Sequence, residues 1–106
     1  MPRFGTASRN KLNTCDPRLI EICEEAIKVM DFSVLCGTRS EIEQNALYDQ
    51  GKTFLRYPHS KHNKSPSKAV DLVPYPVDWE DRDRFILLAG IMHGIAESKG
   101  YKSDGS

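Results

Sequence analysis

The residue that most constrains this chain is Asp71. It interrupts the short apolar run Ala69-Val70-Asp71-Leu72-Val73, which otherwise reads as a buried strand. Aspartate is depleted in strands, and burying a carboxylate there is costly unless a cation or a hydrogen-bond donor meets it. The fold must therefore bring a partner to one face of this strand. An arginine or a set of backbone amides would serve. So would a hard divalent metal, and nine positions upstream Ser60-Lys61-His62 places a histidine at the end of a polar loop. An H-x8-D pair is not a specific pattern by itself, and His62 alone also reads as a solvated loop residue. A metal shared by His62 and Asp71 explains both residues at once.

The rest of the chain supplies a frame for that strand. Asp16 is a good N-cap with Pro17 at the favoured first position, and Leu19, Cys23, Ala26 and Met30 recur at helical spacing up to Asp31. Phe32-Ser33-Val34-Leu35-Cys36 reads as a short buried strand stopped by Gly37. Ser40-Glu41-Ile42-Glu43 fits a capping box, opening a helix with Ile42, Ala46 and Leu47 on one side and Gly51 at its end. A strand over 69–73 follows, closed by Pro74 and Pro76. Asp78 is expected to cap a last helix with Phe85, Leu88, Met92 and Ile95 on its core face. Gly90 and Gly94, one turn apart in it, suggest close approach to a sheet. Residues 1–15 read as an irregular arm and 101–106 as a short polar tail. The order helix, strand, helix, strand, helix predicts an α+β domain, a small antiparallel sheet with three helices, over residues 1–106. Two strands make a thin sheet, so a further strand within 1–15 or 52–58 is an open alternative.

Composition narrows the function classes. The 106 residues suit one small core. Formal net charge is zero, which argues against nucleic acid as an electrostatic partner. No apolar run approaches the ~20 residues of a membrane span, and the N-terminus has no secretory h-region. The three cysteines, Cys15, Cys23 and Cys36, are odd in number and lack CxxC spacing; buried or free thiols are the preferred reading over a ligand or a disulfide.

Other candidates lie around the strand. Arg39 follows a strand end directly, where a guanidinium can clamp a carboxylate or stabilise an oxyanion, or simply form a surface ion pair. Ser60 can orient the loop or bond a substrate. His59 and His62 form an H-x2-H pair, so His59 is a candidate extra ligand. The 52–68 loop holds Lys52, Arg56, Lys61, Lys64 and Lys68 with no acidic residue, which suits either an anionic, carboxylate-rich peptide or a solvated basic face. His93 reads as a partly buried helix residue.

At Gly37-Thr38-Arg39, Ser60-Lys61-His62, Ala69-Val70-Asp71-Leu72-Val73-Pro74 and Trp79 with its following helix, the chain resembles a known family. This is the family of zinc peptidases of the VanY-like D-alanyl-D-alanine carboxypeptidase type, in particular phage endolysins that cleave L-alanyl-D-glutamate bonds. The resemblance runs from about residue 8 to residue 100, with 63–68 resembling one phage subgroup's form of the loop. It implies a Hedgehog/DD-peptidase-like fold, Zn2+ held by His62 and Asp71, and Arg39 acting on the substrate carbonyl or its oxyanion. It implies a peptidoglycan stem peptide as substrate, and a cytoplasmic protein that reaches the cell wall once the membrane is opened. The family also carries a second ligand histidine, with an acidic general base just upstream, on a strand after the last helix; neither is found in this sequence. Three readings follow: a shortened peptidase without activity, a site completed by His59 or by a second copy in a homo-oligomer, or a catalytically incomplete homologue acting as a binding or interaction module.

Overall fold

The computed structural model describes residues 3–53 and 55–101. Among them the elements are α1 (Thr6–Leu12), α2 (Pro17–Ala26), β1 (Phe32–Cys36), α3 (Glu41–Asp49), a 3-10 turn (Lys61–Asn63), β2 (Asp71–Pro74) and α4 (Arg82–Ser98). The architecture is α+β: a two-stranded antiparallel sheet with helices around it.

Phe32 stands opposite Pro74, Ser33 opposite Val73 and Val34 opposite Leu72; the register then shifts, so that Cys36 stands opposite Asp71. Leu35 is the extra residue of a bulge in β1. The sheet's inner face and the helices bury Leu12, Cys15, Cys23, Ala26, Ile27, Phe32, Val34 and Leu88, with Phe4, Met92 and Ile95 packed around them. Phe4 meets Phe32 edge to face at 5.3 Å.

Part of the expected arm is therefore a helix, and among the described residues the helices number four rather than three. α1 escaped notice because Thr6–Leu12 is polar except for Ala7 and Leu12, and Gly5 offers no side-chain cap. Tertiary contact holds it: Leu12 is fully buried, and the Ser8 hydroxyl accepts a hydrogen bond from the Val34 N–H at 3.0 Å, satisfying part of the outer edge of β1. No third strand forms among the described residues.

Other expectations need correcting. The stripe on α3 does not face the core: Ile42 is 83% exposed, and the buried residue of this helix is Gln44. α4 begins after Asp81, whose carboxylate accepts from the Arg84 N–H, rather than after Asp78. Its core face follows three of the four expected residues, with Leu88 buried and Met92 and Ile95 against the cluster, while Phe85 stacks on Trp79 at 5.8 Å instead. Gly90 and Gly94, however, are exposed, and a Cβ on either would touch nothing, so they mark no close packing. His93 is exposed as well.

Candidate metal centre

Three local devices fix the histidine. The Ser60 hydroxyl accepts from the His62 N–H at 3.2 Å, and the Asn63 side chain accepts from the Ser60 N–H at 3.1 Å, so a capping box shapes the 3-10 turn. The His62 carbonyl accepts from the Arg39 N–H at 2.6 Å, tying that turn to the β1–α3 connection. The ring is 2.7 Å from the Gly37 carbonyl through Nδ1. A carbonyl only accepts, so Nδ1 carries the hydrogen. Nε2 is the ring position left to hold either a proton or a metal ion. Gly37 itself is pressed against the end of α1, where a side chain has no room: a Cβ there would overlap the Thr14 hydroxyl and stand 2.5 Å from the Lys11 carbonyl.

Nε2 faces Asp71 Oδ1 at 3.5 Å, while Asp71 Oδ2 accepts from Arg39 Nη2 at 2.8 Å. The polar contact with the His62 ring, then the charges of His62 and Arg39, hold the Asp71 carboxyl below the usual carboxylate range, against a desolvation that pushes the other way. Arg39 is held on all three of its nitrogens. Nε donates to Cys36 Sγ at 3.3 Å, Nη1 to Gln44 Oε1 at 3.2 Å and Nη2 to Asp71. A guanidinium has five N–H groups, so two remain available.

The sequence-derived residues Arg39, His62 and Asp71 thus meet, with Ser60 beneath His62. Of the two roles open to Ser60, its bonds serve the orienting one. His59 is exposed and does not join the group. Cys36, which sequence reasoning set aside as a plain thiol, does join: one ligand atom each from Cys36, His62 and Asp71 lies within 4.8 Å of the other two. Its position three residues before Arg39, at a strand end, was the available signal. Gln44 and Asn63 were missed, and nothing in a polar helix or a polar loop distinguishes them. In the basic loop, Lys52, Arg56, Lys64 and Lys68 are exposed, with the Arg56 guanidinium 5.1 Å over the Tyr48 ring.

The donor set fits a divalent ion. Zinc legs of about 2.0–2.2 Å to imidazole and carboxylate place two donors about 3.3 Å apart. The observed 3.5 Å is close to that, and longer than the usual N–H···O hydrogen bond.

The model of the phage L-alanyl-D-glutamate peptidase family matches residues 1–103. The chain belongs to this family. Among solved structures, the chain is similar to the Serratia marcescens L-Ala D-Glu endopeptidase ChiX, with a TM-score of 0.78 and 28% identity over 93% of this chain and 75% of that one. No curated protein matches. Among the described residues, no helix is long and apolar enough to cross a membrane.

Proposed function

We propose that this chain is a zinc-dependent peptidoglycan peptidase that hydrolyses the L-alanyl-D-glutamate bond of the stem peptide, as its family's description and that of ChiX suggest. The observation that carries the metal reading is the His62 ring: its Nδ1–H is committed to the Gly37 carbonyl, which turns Nε2 onto Asp71. His62 and Asp71 would hold the ion. When bound, zinc supplies a Lewis acid for the scissile carbonyl and lowers the pKa of a water molecule.

The chain's own residues do the rest. Gly37 and Ser60 set the histidine, and Asp71 offers one oxygen to the site while the other anchors Arg39. The two N–H groups that Arg39 retains can donate to the carbonyl oxygen as negative charge develops on it. A glutamyl substrate carries carboxylates, and the exposed cations of the 52–68 loop raise its local concentration.

The test is mass spectrometry of purified muropeptides incubated with the chain and zinc, beside His62→Ala. Cleavage between L-alanine and D-glutamate by the parent alone is the expected result. Intact substrate with a folded, zinc-loaded protein would overturn the peptidase reading and favour a binding module. Equal zinc affinity in His62→Ala would overturn the site.

A further inference from the structure

We propose that Cys36 is the third metal-binding side chain of this site, ligating a divalent ion such as zinc as a thiolate beside His62 and Asp71. The proposal rests on the metal reading above and adds a donor to it. The first support is proximity: one ligand atom from each of the three side chains lies within 4.8 Å of the other two. A zinc ion with legs of about 2.3 Å to sulfur and 2.0 Å to nitrogen or oxygen needs donor separations of about 3.3–3.6 Å. Closing the triangle from 4.8 Å therefore takes shifts of up to about 1.2–1.5 Å, within reach of a side-chain adjustment.

The second support is independent and lies in the backbone. Continued from Val34 opposite Leu72, a regular ladder would set Leu35 against Asp71 and Cys36 against Val70. The bulge inserts one residue and sets Cys36 against Asp71 instead. Bulges recur beside active sites because they re-aim a side chain, and here the side chain re-aimed is a thiol brought to a carboxylate.

The three cysteines also differ in setting. Cys15 and Cys23 belong to the core cluster, and burial pushes both thiols up, Cys23 to about 12. Those are packing residues. Cys36 lies outside that cluster, is partly exposed, and receives the Arg39 Nε–H at 3.3 Å, so its sulfur already faces a cation. Thiolate, imidazole and carboxylate are all zinc donors, and three of them leave a fourth position open for water or substrate, as catalytic zinc requires. On binding, the S–H bond breaks, its proton goes to solvent and a sulfur–metal bond forms, with no change of oxidation state.

Cobalt(II) titration of the full chain under reducing conditions tests this without reference to activity. The parent should develop the near-ultraviolet thiolate-to-cobalt charge-transfer band, and Cys36→Ser and Cys36→Ala should both lack it. Cys36→Ser keeps a hydrogen-bond acceptor for Arg39, so a loss shared with Cys36→Ala reads the ligand and not the Arg39 contact. Zinc affinity of the folded serine variant should fall by more than the roughly 10–100-fold that loss of an outer-shell partner brings. Cobalt bound with ligand-field bands but no sulfur band, or zinc affinity unchanged in Cys36→Ser, would overturn the proposal and leave the His62–Asp71 reading intact. A parent chain that is folded and binds neither metal would overturn both.

Discussion

Arg39 shows how closely a single side chain can be specified by its acceptors. Sulfur, amide oxygen and carboxylate oxygen surround the guanidinium, one to each nitrogen, and the side chain is only 14% exposed. A lysine has the charge but not the planar fork, so it can reach one of these partners and leaves the others unmet. Arg39→Lys should therefore lower stability by about 1–2 kcal/mol. That is less than the loss from breaking a fully buried pair, because the Asp71 side chain is about half exposed and water screens what remains. On the role proposed for Arg39, peptidase activity should fall much further, by about 100-fold, since the N–H groups proposed to donate to the developing oxyanion are lost. Chemical denaturation and muropeptide turnover read the two effects separately. Activity retained in a destabilised Arg39→Lys would mean that the arginine only braces Asp71.

At the scale of elements, the site hangs on connections more than on packing. α3 has an exposed apolar residue at Ile42 and a fully buried amide at Gln44, so it is attached through a polar residue. Gln44 Oε1 accepts from both Arg39 and Asn63, and Nε2 donates to the Leu55 carbonyl at 2.5 Å, which joins the β1–α3 connection, the basic loop and the histidine turn. Gln44→Leu keeps the volume and strands those partners. It should destabilise by about 1–3 kcal/mol and loosen the 52–63 segment, read as faster amide exchange there and weaker zinc binding. Unchanged exchange in that segment would show that Gln44 is not its anchor. The same helix explains what a sequence can and cannot disclose. Its start was legible, because the Ser40–Glu43 capping box is a local bargain between side chain and backbone, as is the Asp16–Pro17 start of α2. Its inward face was not, because burial of Gln44 is decided by Arg39, Leu55 and Asn63, which all lie outside the helix, so no periodicity within it encodes them. α1 escaped for the same reason, with Ser8 meeting a strand 26 residues away. Asp71 and His62 stood out because a carboxylate in an apolar strand needs a partner; Cys36 did not, since a bulge leaves little trace in a run of five strand-forming residues.

At the scale of the molecule, two strands cannot cover their own core, and helices close it from both ends of the chain. α2 packs against α4, and beyond that apolar contact the C-terminal end of α4 is tied back to α2 through one carboxylate: Glu21 accepts from Lys99 Nζ at 2.8 Å and from the Tyr101 hydroxyl at 2.6 Å. The Lys99 bond, then the Tyr101 bond, holds the Glu21 carboxyl below its usual range, and the same contacts raise Lys99 and Tyr101. The signs define a window. A lowered carboxylate contributes stability that is present above the ordinary glutamate range and is lost as pH falls through the lowered value; a raised lysine contributes stability that is present below the ordinary lysine range and is lost as pH rises through the raised value. The tether is therefore intact across neutral pH and undone at both extremes. Because it is solvent-exposed, its effect is small. Glu21→Gln should lower the Tm by a few degrees at most near neutrality. The two melting curves should converge as pH falls below the carboxylate range, where the parent's Glu21 also becomes neutral. Thermal melts of both proteins across pH, at low and high salt, provide the check. A difference that persists unchanged into acid would assign the loss to side-chain packing and remove the ion pair from the account of how α4 is held.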